Sequence, residues 1–436
     1  MIIKAPPFSE RLSSEKDPSL PREALLEYFR HVRTTTENLA RPITPEDAQV
    51  QSMTEASPTK WSLGHTSWFF ETFLLSEMSG YEPLNPEYKV IFNSYYNAVG
   101  QQHPRPRRGM LSRPPLSEVY DYRGWVDEKM TDTIEKLSDE DLREKASLIE
   151  LGLNHEEQHQ ELMLTDILHV YASDPLFPAY RSETPPESGA TPSLKWQSFD
   201  EGIYWIGHGG EGFAFDNESP RHRQFVHAFQ LGSRLVTAGE YLEFMQDKGY
   251  ERPELWLSDG WGTVQEQGWK APLYWEQRDG AWWRMTLYGL IPLDLDAPVC
   301  HVSYYEADAF ASWAEKRLPT EAEWEVGSTG VERDGNLLDS GALLPLSPGG
   351  GAAGQPLQMY GDVWEWTQSA YSSYPGFKPA KGALGEYNGK FMCNQLVLRG
   401  GSVATPAGHI RPTYRNFFPS DARWQFMGIR LASDGS

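Results

Sequence analysis

Three histidines, His65, His155 and His159, are the residues of this sequence best suited to catalytic chemistry. His155 and His159 lie four residues apart in the segment His-Glu-Glu-Gln-His. This spacing is about one turn of an α-helix, so both side chains point the same way and can share one metal ion. An imidazole of His65, from a facing helix, would complete a face of three nitrogens and leave the opposite positions open. An open face is typical of a catalytic metal centre rather than a structural one.

The ligand set alone does not select one metal. Three neutral imidazoles suit zinc, copper or iron(II), whereas the common non-haem oxygenase centre uses two histidines and one carboxylate. Glu161 carries a carboxylate, but it follows His159 by two residues and should project away from the ion. We therefore expect Glu161 to lie behind the ligands or on the helix surface.

Two tyrosines and a group of arginines lie between the second and third predicted helices. Tyr95 and Tyr96 occur in Asn-Ser-Tyr-Tyr-Asn, in a loop that can fold over an open metal, where a phenol can donate a proton. The segment His-Pro-Arg-Pro-Arg-Arg at 103–108 follows. Arginine offers a planar fork that matches a carboxylate, so these residues indicate a bound amino acid. Packing tyrosines and surface arginines would give the same pattern.

Composition restricts the classes of partner and the compartment. The 436 residues predict two domains, and the formal net charge of -22 argues against nucleic-acid or anionic-membrane partners. We find neither a signal peptide nor an apolar run of about 18 residues. The two cysteines, Cys300 and Cys393, fit a reducing compartment. We expect a cytoplasmic protein with small-molecule substrates, and a homo-oligomer is possible.

The pattern of apolar residues changes near residue 180. Before it, helical periodicity predicts four helices, at about 21–40, 61–78, 119–137 and 146–171, which is typical of a bundle with a metal site inside. After it, short aromatic and β-branched runs with brief helices, such as 307–316, predict a loop-rich α+β domain. We place the domains at 15–180 and 195–434, with a linker at 181–194.

The second half carries motifs that are specific in combination. They are Pro-Val-Cys-His-Val-Ser at 298–303, Arg-Leu-Pro-Thr-Glu-Ala-Glu-Trp-Glu at 317–325, Gly-Asp-Val-Trp-Glu-Trp-Thr at 361–367, Arg-Gly-Gly-Ser at 399–402 and Gly-Ile-Arg-Leu at 428–431. The region resembles the formylglycine-generating-enzyme-like (sulfatase-modifying-factor) domain, a fold related to C-type lectins. The segment 409–416 lacks the copper-binding cysteines of that enzyme, so we do not expect formylglycine generation.

The first half resembles a DinB-like four-helix metal-binding domain. A DinB-like bundle followed by a formylglycine-generating-enzyme-like domain resembles the EgtB-type sulfoxide synthases of ergothioneine biosynthesis. The resemblance implies that His65, His155 and His159 bind Fe(II). It also implies that dioxygen is used to join cysteine sulfur to imidazole C2 of N-α-trimethylhistidine (hercynine), with oxidation of the sulfur to a sulfoxide.

The same resemblance assigns roles to substrate-binding residues. Gln158 would contact the hercynine imidazole, and Asn416 and Phe417 would line the hercynine pocket from the second domain. Arg105 and Arg108 would hold the carboxylate of the thiol substrate. An aromatic face near the trimethylammonium group would add a cation–π contact.

Phe418 bears on the identity of the thiol. Family members that use γ-glutamylcysteine tend to carry an acidic residue at this position, so phenylalanine favours free cysteine. For the proton donor we favour Tyr95 and Tyr96, although some relatives place the catalytic phenol in the second domain, where Tyr371 and Tyr374 are available.

Three alternatives remain open at this stage. A DinB-like protein with three histidines can be a zinc-dependent thiol transferase that needs no oxygen. The protein can also be the form of sulfoxide synthase that uses γ-glutamylcysteine. A non-enzymatic ligand-binding or display module would leave the three histidines unexplained.

Overall fold

A helical bundle forms the first part of the protein. The computed structural model describes residues 22–210, 212–349 and 354–435. The helices of this part are α1 (Arg22–Ala40), α2 (Thr59–Phe73), the short α3 (Tyr88–Ile91), α4 (Leu116–Lys136) and α5 (Asp139–Ala172). The four long helices pack around buried side chains such as Phe29, Trp68, Val126 and Leu153. The predicted helical bundle is confirmed.

The helix ends differ from the predicted ones for local reasons. Helix α5 begins at Asp139 rather than near 146, because Ser138 caps it by accepting a hydrogen bond from Asp141 N at 3.1 Å. Helix α2 ends at Phe73 and continues only as a short 3-10 turn, Leu75–Glu77, instead of reaching 78. Pro21, the predicted start of the first helix, lies outside the described residues. In the described part of the chain, no helix combines the length and apolarity that crossing a membrane requires.

The connection between α2 and α4 is fixed onto the bundle by buried indoles. Trp61 donates from Nε1 to the Ile91 carbonyl at 2.9 Å, and Trp68 donates to the Lys89 carbonyl at 3.1 Å. Later in the same connection, residues Arg105–Met110 form a 3-10 helix. These contacts hold the segment that carries the tyrosines and arginines close to α2.

The second part is built from short strands and helices. In chain order these are β1 (Trp196–Phe199), β2 (Gly202–Ile206), β3 (His222–Val226), β4 (Phe229–Gly232), α6 (Ala238–Gln246), α7 (Ser258–Gln267), β5 (Trp275–Arg278), β6 (Ala281–Thr286), β7 (Gly289–Pro292), α8 (Tyr304–Trp313), α9 (Glu321–Gly327), β8 (Trp364–Ala370), β9 (Leu396–Arg399), β10 (Asn416–Phe418), β11 (Met427–Gly428) and β12 (Ala432–Asp434). The mixed α and β architecture predicted for this half is confirmed. The exact domain limits at 15–180 and 195–434 stay predictions.

Two of the sheets in this part join strands that are far apart in the sequence. Strands β1, β4 and β12 form an antiparallel sheet in which the last strand pairs with β4 near the start of the domain. The other sheet has the order β10-β9-β8-β11, and its edge strand β10 carries Asn416, Phe417 and Phe418. The remaining strands form a β2-β3 ribbon and a β5-β6-β7 meander.

Several of the sequence motifs are explained by buried ion pairs in this part. Glu365 and Arg430 are both fully buried and lie 2.7 Å apart, and Trp324 donates from its indole to the same carboxylate at 2.8 Å. Each residue comes from a different motif. A buried charge is tolerated only when it is paired and hydrogen-bonded, so these motifs stabilise the fold rather than contribute to the site.

Helix α5 is bound to the second part through Glu161. This side chain is 6% exposed and accepts hydrogen bonds from the Trp364 indole, from Ser402 Oγ at 2.7 Å and from Thr405 Oγ1 at 2.9 Å. Glu161 does not lie on a free helix surface, which was one of the two positions expected for it. It joins the two halves of the chain.

Replacing Glu161 should therefore weaken the association of the two parts. Glu161→Ala leaves three buried donors without an acceptor, so we expect the free energy of unfolding to fall by about 2–4 kcal/mol. The measurement is urea unfolding of metal-free protein. The control is Glu144→Ala, at an exposed position of the same helix, which should change stability by less than about 0.5 kcal/mol. Equal midpoints for the two variants would contradict this role.

Candidate metal centre

The three predicted ligands converge at one point between α2 and α5. One ring nitrogen from each of His65, His155 and His159 lies within 4.8 Å of the others. The ring centroids are 4.9 Å apart for His65 and His155, 4.8 Å for His65 and His159, and 4.7 Å for His155 and His159. The facing-helix arrangement expected from the sequence is therefore present.

Hydrogen bonding leaves nitrogens of this cluster free for a metal. His65 donates from Nδ1 to the Phe92 carbonyl at 2.7 Å, which leaves Nε2 as the acceptor nitrogen of a neutral ring. Among the described residues, His65 Nε2, His155 Nδ1 and His159 Nδ1 are buried and have no hydrogen-bond partner. Buried polar atoms without partners are costly, so the residues present fit a bound metal ion.

The surroundings hold the imidazoles in the neutral form that metal binding requires. Burial lowers the pKa of His65 and of His155 well below the usual value, and the neighbouring imidazoles lower both further. Burial and Arg108 together lower the pKa of His159 to about 3. A metal ion binding at neutral pH would therefore displace no proton from these rings.

A buried ion-pair cluster fixes the orientation of α5. Glu156, between the two helical histidines, is fully buried and lies 2.7 Å from Arg33 Nη1 of α1 and 2.9 Å from Arg123 Nη2 of α4. Burial alone would raise the pKa of Glu156, but the two arginines lower it to about 2. With Glu156 directed into the bundle, the neighbouring His155 and His159 must face the metal centre.

A cavity of about 430 Å³ opens beside the histidines, between the bundle and the second part. Pockets of this size hold small organic ligands. Nearly all of the predicted site residues line it: Tyr95, Arg105, Arg108, His155, Gln158, His159, Asn416, Phe417 and Phe418. The cavity is therefore formed by residues from both halves of the chain.

The arginines of the 3-10 helix reach the cavity in different ways. Arg108 is 2% exposed, its Cζ lies over the Trp61 ring at 3.3 Å from the centroid, and its Nη1 donates to Ser57 Oγ at 2.9 Å. Burial, and then Arg105, lowers the pKa of Arg108 to about 8. Arg105 is exposed and donates to the carbonyls of Thr54 and Glu55. Within the described part of the chain, Arg108 is thus a buried cation without a carboxylate partner.

The tandem tyrosines stack on each other, but only Tyr95 lines the cavity. Tyr95 lines the cavity and packs edge-on against Phe391 of the second part at 5.0 Å. Tyr96 is fully buried among Trp68 and Phe73, and its hydroxyl has no hydrogen-bond partner among the described residues. Burial raises the pKa of Tyr95 to about 12 and that of Tyr96 well above the usual value, so both phenols stay protonated.

The sequence analysis missed two tyrosines that hold Gln158. The amide of Gln158 donates from Nε2 to Tyr414 Oη at 2.7 Å and accepts a hydrogen bond from Tyr387 Oη. The Tyr387 ring also lies 5.7 Å from that of His155. Tyr387 belongs to an irregular segment without a motif, so no local signal identified it.

The phenols suggested as alternatives lie away from the cavity. Tyr371 accepts a hydrogen bond from Asn217 at 2.9 Å and stacks on Phe417 with ring centroids 4.0 Å apart. Tyr374 is buried against Arg399 and Arg415. Neither residue lines the cavity beside the histidines.

Removal of one ligand should abolish metal binding without unfolding the protein. We expect protein loaded anaerobically with iron(II) to hold about one ion per chain. Because His155→Ala or His159→Ala removes one of three ligands, each variant should bind the ion about 100-fold more weakly or worse. Metal content after gel filtration measures this. His31→Ala, at an exposed position of α1, is the control. A histidine variant that kept full metal content would rule the site out.

Comparison with known proteins agrees with the two-part architecture. The sequence matches the DinB superfamily over residues 28–163 and the sulfatase-modifying factor enzyme 1-like domain over residues 199–342 and 356–435. It is 33% identical over 410 residues to the hercynine oxygenase of Mycolicibacterium smegmatis, covering 87% of this chain and 91% of that protein. It is 31% identical over 401 residues to the hercynine oxygenase of Mycobacterium tuberculosis, covering 87% and 91%.

A eukaryotic relative matches only part of the chain. The ergothioneine biosynthesis protein 1 of Schizosaccharomyces pombe is 29% identical over 236 residues, which cover 51% of this chain and 28% of that protein. The bacterial relatives align along most of their length with both the bundle and the second part. The chain therefore belongs to the hercynine oxygenase family.

Proposed function

We propose that this protein is a non-haem iron(II)- and dioxygen-dependent sulfoxide synthase of ergothioneine biosynthesis. It joins the sulfur of cysteine to imidazole C2 of hercynine. The observation that carries the proposal is the three-imidazole centre that opens onto a 430 Å³ cavity, in a member of this family. Iron bound by His65, His155 and His159 would supply the activation of dioxygen.

The proposed reaction balances with dioxygen as the only oxidant. The C2–H bond of hercynine and the S–H bond of cysteine break, and a C–S and an S–O bond form. The two substrates lose four electrons in total. One oxygen atom enters the sulfoxide, and the other leaves as water with the two protons.

The thiol substrate is bound by the arginines of the 3-10 helix. Arg108 offers a buried guanidinium without a carboxylate partner, held in position by Trp61 and Ser57. A carboxylate matches this planar fork and restores charge balance in the cavity. The arginine thereby orients the thiol, which lowers the entropic cost of bringing sulfur and C2 into contact.

Hercynine is bound at the side of the cavity formed by Gln158 and strand β10. Both polar atoms of the Gln158 amide are held by tyrosines, so its orientation is set before the imidazole binds. Asn416 adds a polar group at the same edge. The Phe417 ring presents an aromatic face that suits the trimethylammonium group.

A phenol at the cavity wall delivers the proton that the reaction needs. Tyr95 lines the cavity and is protonated at neutral pH, so its Oη–H can act as a general acid towards the reacting oxygen. Tyr96 stacks on it with ring centroids 4.7 Å apart and fixes the ring.

Phe418 favours free cysteine as the thiol. Its ring packs edge-on against Trp424 at 5.6 Å, so residue 418 contributes an aromatic ring and no carboxylate to the cavity wall. An ammonium group of a γ-glutamyl extension would lose hydration there without gaining a carboxylate from residue 418.

A direct test is the reaction of the iron-loaded protein. Protein reconstituted anaerobically with iron(II) and then given oxygen, hercynine and cysteine should form the coupled sulfoxide, with one atom from labelled dioxygen detected by mass. Turnover with γ-glutamylcysteine should be lower. Zinc-loaded protein is the control and should consume no oxygen. Activity with zinc, or no coupled product with iron, would refute the proposed function.

Loss of the tandem phenols should redirect the reaction. We expect Tyr95→Phe/Tyr96→Phe to form the sulfoxide about 100-fold more slowly and to release cysteine sulfinate instead, because the proton donor is gone. Product ratios by mass spectrometry measure the change. The control Tyr204→Phe removes a phenol of the second part that donates to the Asp200 carbonyl at 2.7 Å. An unchanged ratio in the double variant would exclude this role.

A further inference from the structure

Asp166 continues the stripe of α5 that carries the metal ligands. Residues 155, 159, 162 and 166 follow the i, i+4, i+7, i+11 spacing of one helix face, and all four line the cavity. Asp166 thus lies beyond His159 by seven residues, or about 10 Å along the helix axis. The proposed reaction leaves this carboxylate without a role.

The carboxyl of Asp166 is only partly satisfied. The residue is 5% exposed, and Oδ2 accepts a hydrogen bond from Ser57 N at 2.8 Å. Among the described residues, no donor makes a hydrogen bond of normal geometry to the buried Oδ1. Burial raises the pKa of Asp166 to about 7, although the Ser57 N–H, the charge of Arg105, a polar interaction with the Trp424 side chain and the charge of Arg108 lower it. A buried carboxylate of this kind lacks a cation.

Arg108 presents the opposite charge beside it. Ser57 binds both groups: its backbone N–H donates to Asp166, and its Oγ accepts from Arg108 Nη1 at 2.9 Å. The two charged side chains do not form an ion pair with each other, and Arg108 Nε is also buried without a partner. Ser57 therefore holds a cation and an anion side by side at the wall of one cavity.

We propose that Asp166 binds the α-ammonium group of the thiol substrate, so that Asp166 and Arg108 together bind a free α-amino acid. The inference rests on the proposed function for the identity of that substrate. In an α-amino acid the ammonium and carboxylate groups are attached to one carbon, and they match two opposite charges anchored to one serine. Binding the zwitterion supplies both missing partners without changing the net charge of the cavity.

This pairing also selects between thiols. In γ-glutamylcysteine the nitrogen of the cysteine unit is a neutral amide, which offers Asp166 no cation. Together with Phe418, which offers no carboxylate, Asp166 would discriminate in favour of free cysteine by its charge. A site that pairs a buried charge rejects an analogue lacking the partner group, because its own charge is then left unpaired.

The experiment removes the charge from the protein and the ammonium from the substrate in turn. Iron(II)-loaded protein is assayed with hercynine and oxygen, using L-cysteine, 3-mercaptopropionate and γ-glutamylcysteine. Asp166→Asn keeps the shape and an oxygen for Ser57 N–H. The control is Asp132→Asn, whose carboxylate pairs with Lys136 on the bundle surface. We expect Asp166→Asn to raise KM for cysteine about 10- to 100-fold and to leave KM for 3-mercaptopropionate within about threefold.

Other outcomes overturn the proposal. An equal rise in KM for cysteine and 3-mercaptopropionate would mean that Asp166 only positions Ser57 and Arg108. A rise in KM confined to γ-glutamylcysteine would mean that Asp166 binds the γ-glutamyl ammonium group instead. No change in KM with any thiol would mean that Asp166 contacts none of these substrates. Failure of the proposed function is recognised separately, as absence of product from the wild-type protein. In that event, anaerobic calorimetry can measure the binding of cysteine and of 3-mercaptopropionate to the metal-loaded protein and to its Asp166→Asn variant. The proposal then predicts that the variant binds cysteine more weakly and 3-mercaptopropionate about equally well.

Discussion

Helix α5 must bury polar side chains on three sides at once, and the rest of the structure satisfies them. Each residue advances about 100° around the helix, so consecutive residues face different neighbours. Glu156 points into the bundle, where two arginines neutralise it, and Glu161 points to the hydrogen-bond donors of the second part. The remaining direction belongs to His155 and His159. The metal centre is thus positioned by charges that take no part in its chemistry.

The site retains the polar groups that the fold leaves unsatisfied. The imidazoles are neutral, and among the described residues neither Arg108 nor Asp166 has an ion-pair partner. By contrast, the buried carboxylate of Glu365 is paired with Arg430 away from this cavity. Unpaired groups around one cavity cost stability and are expected where ligands complete the pairing. This contrast separates the site from the structural ion pairs of the same protein.

Both halves of the chain contribute to the cavity. The first part provides the imidazoles, the guanidinium, the carboxylate and Tyr95, whereas the second part provides Asn416, aromatic rings and the phenols that hold Gln158. Because two tyrosines of the second part hydrogen-bond to the Gln158 amide, this side chain cannot rotate freely. A rigid boundary of this kind suits a reaction in which two small substrates must meet in one orientation.

Local patterns determined the helical bundle, the mixed second half and the helical pair of ligands, because periodicity and spacing act within a few turns. They also marked the motifs that form buried ion pairs. Only the tertiary structure decided that His65 completes the cluster, that Tyr95 rather than Tyr96 faces the cavity, and that Tyr387 reaches Gln158. Contacts between residues far apart in sequence depend on how whole elements pack, and no local spacing encodes them.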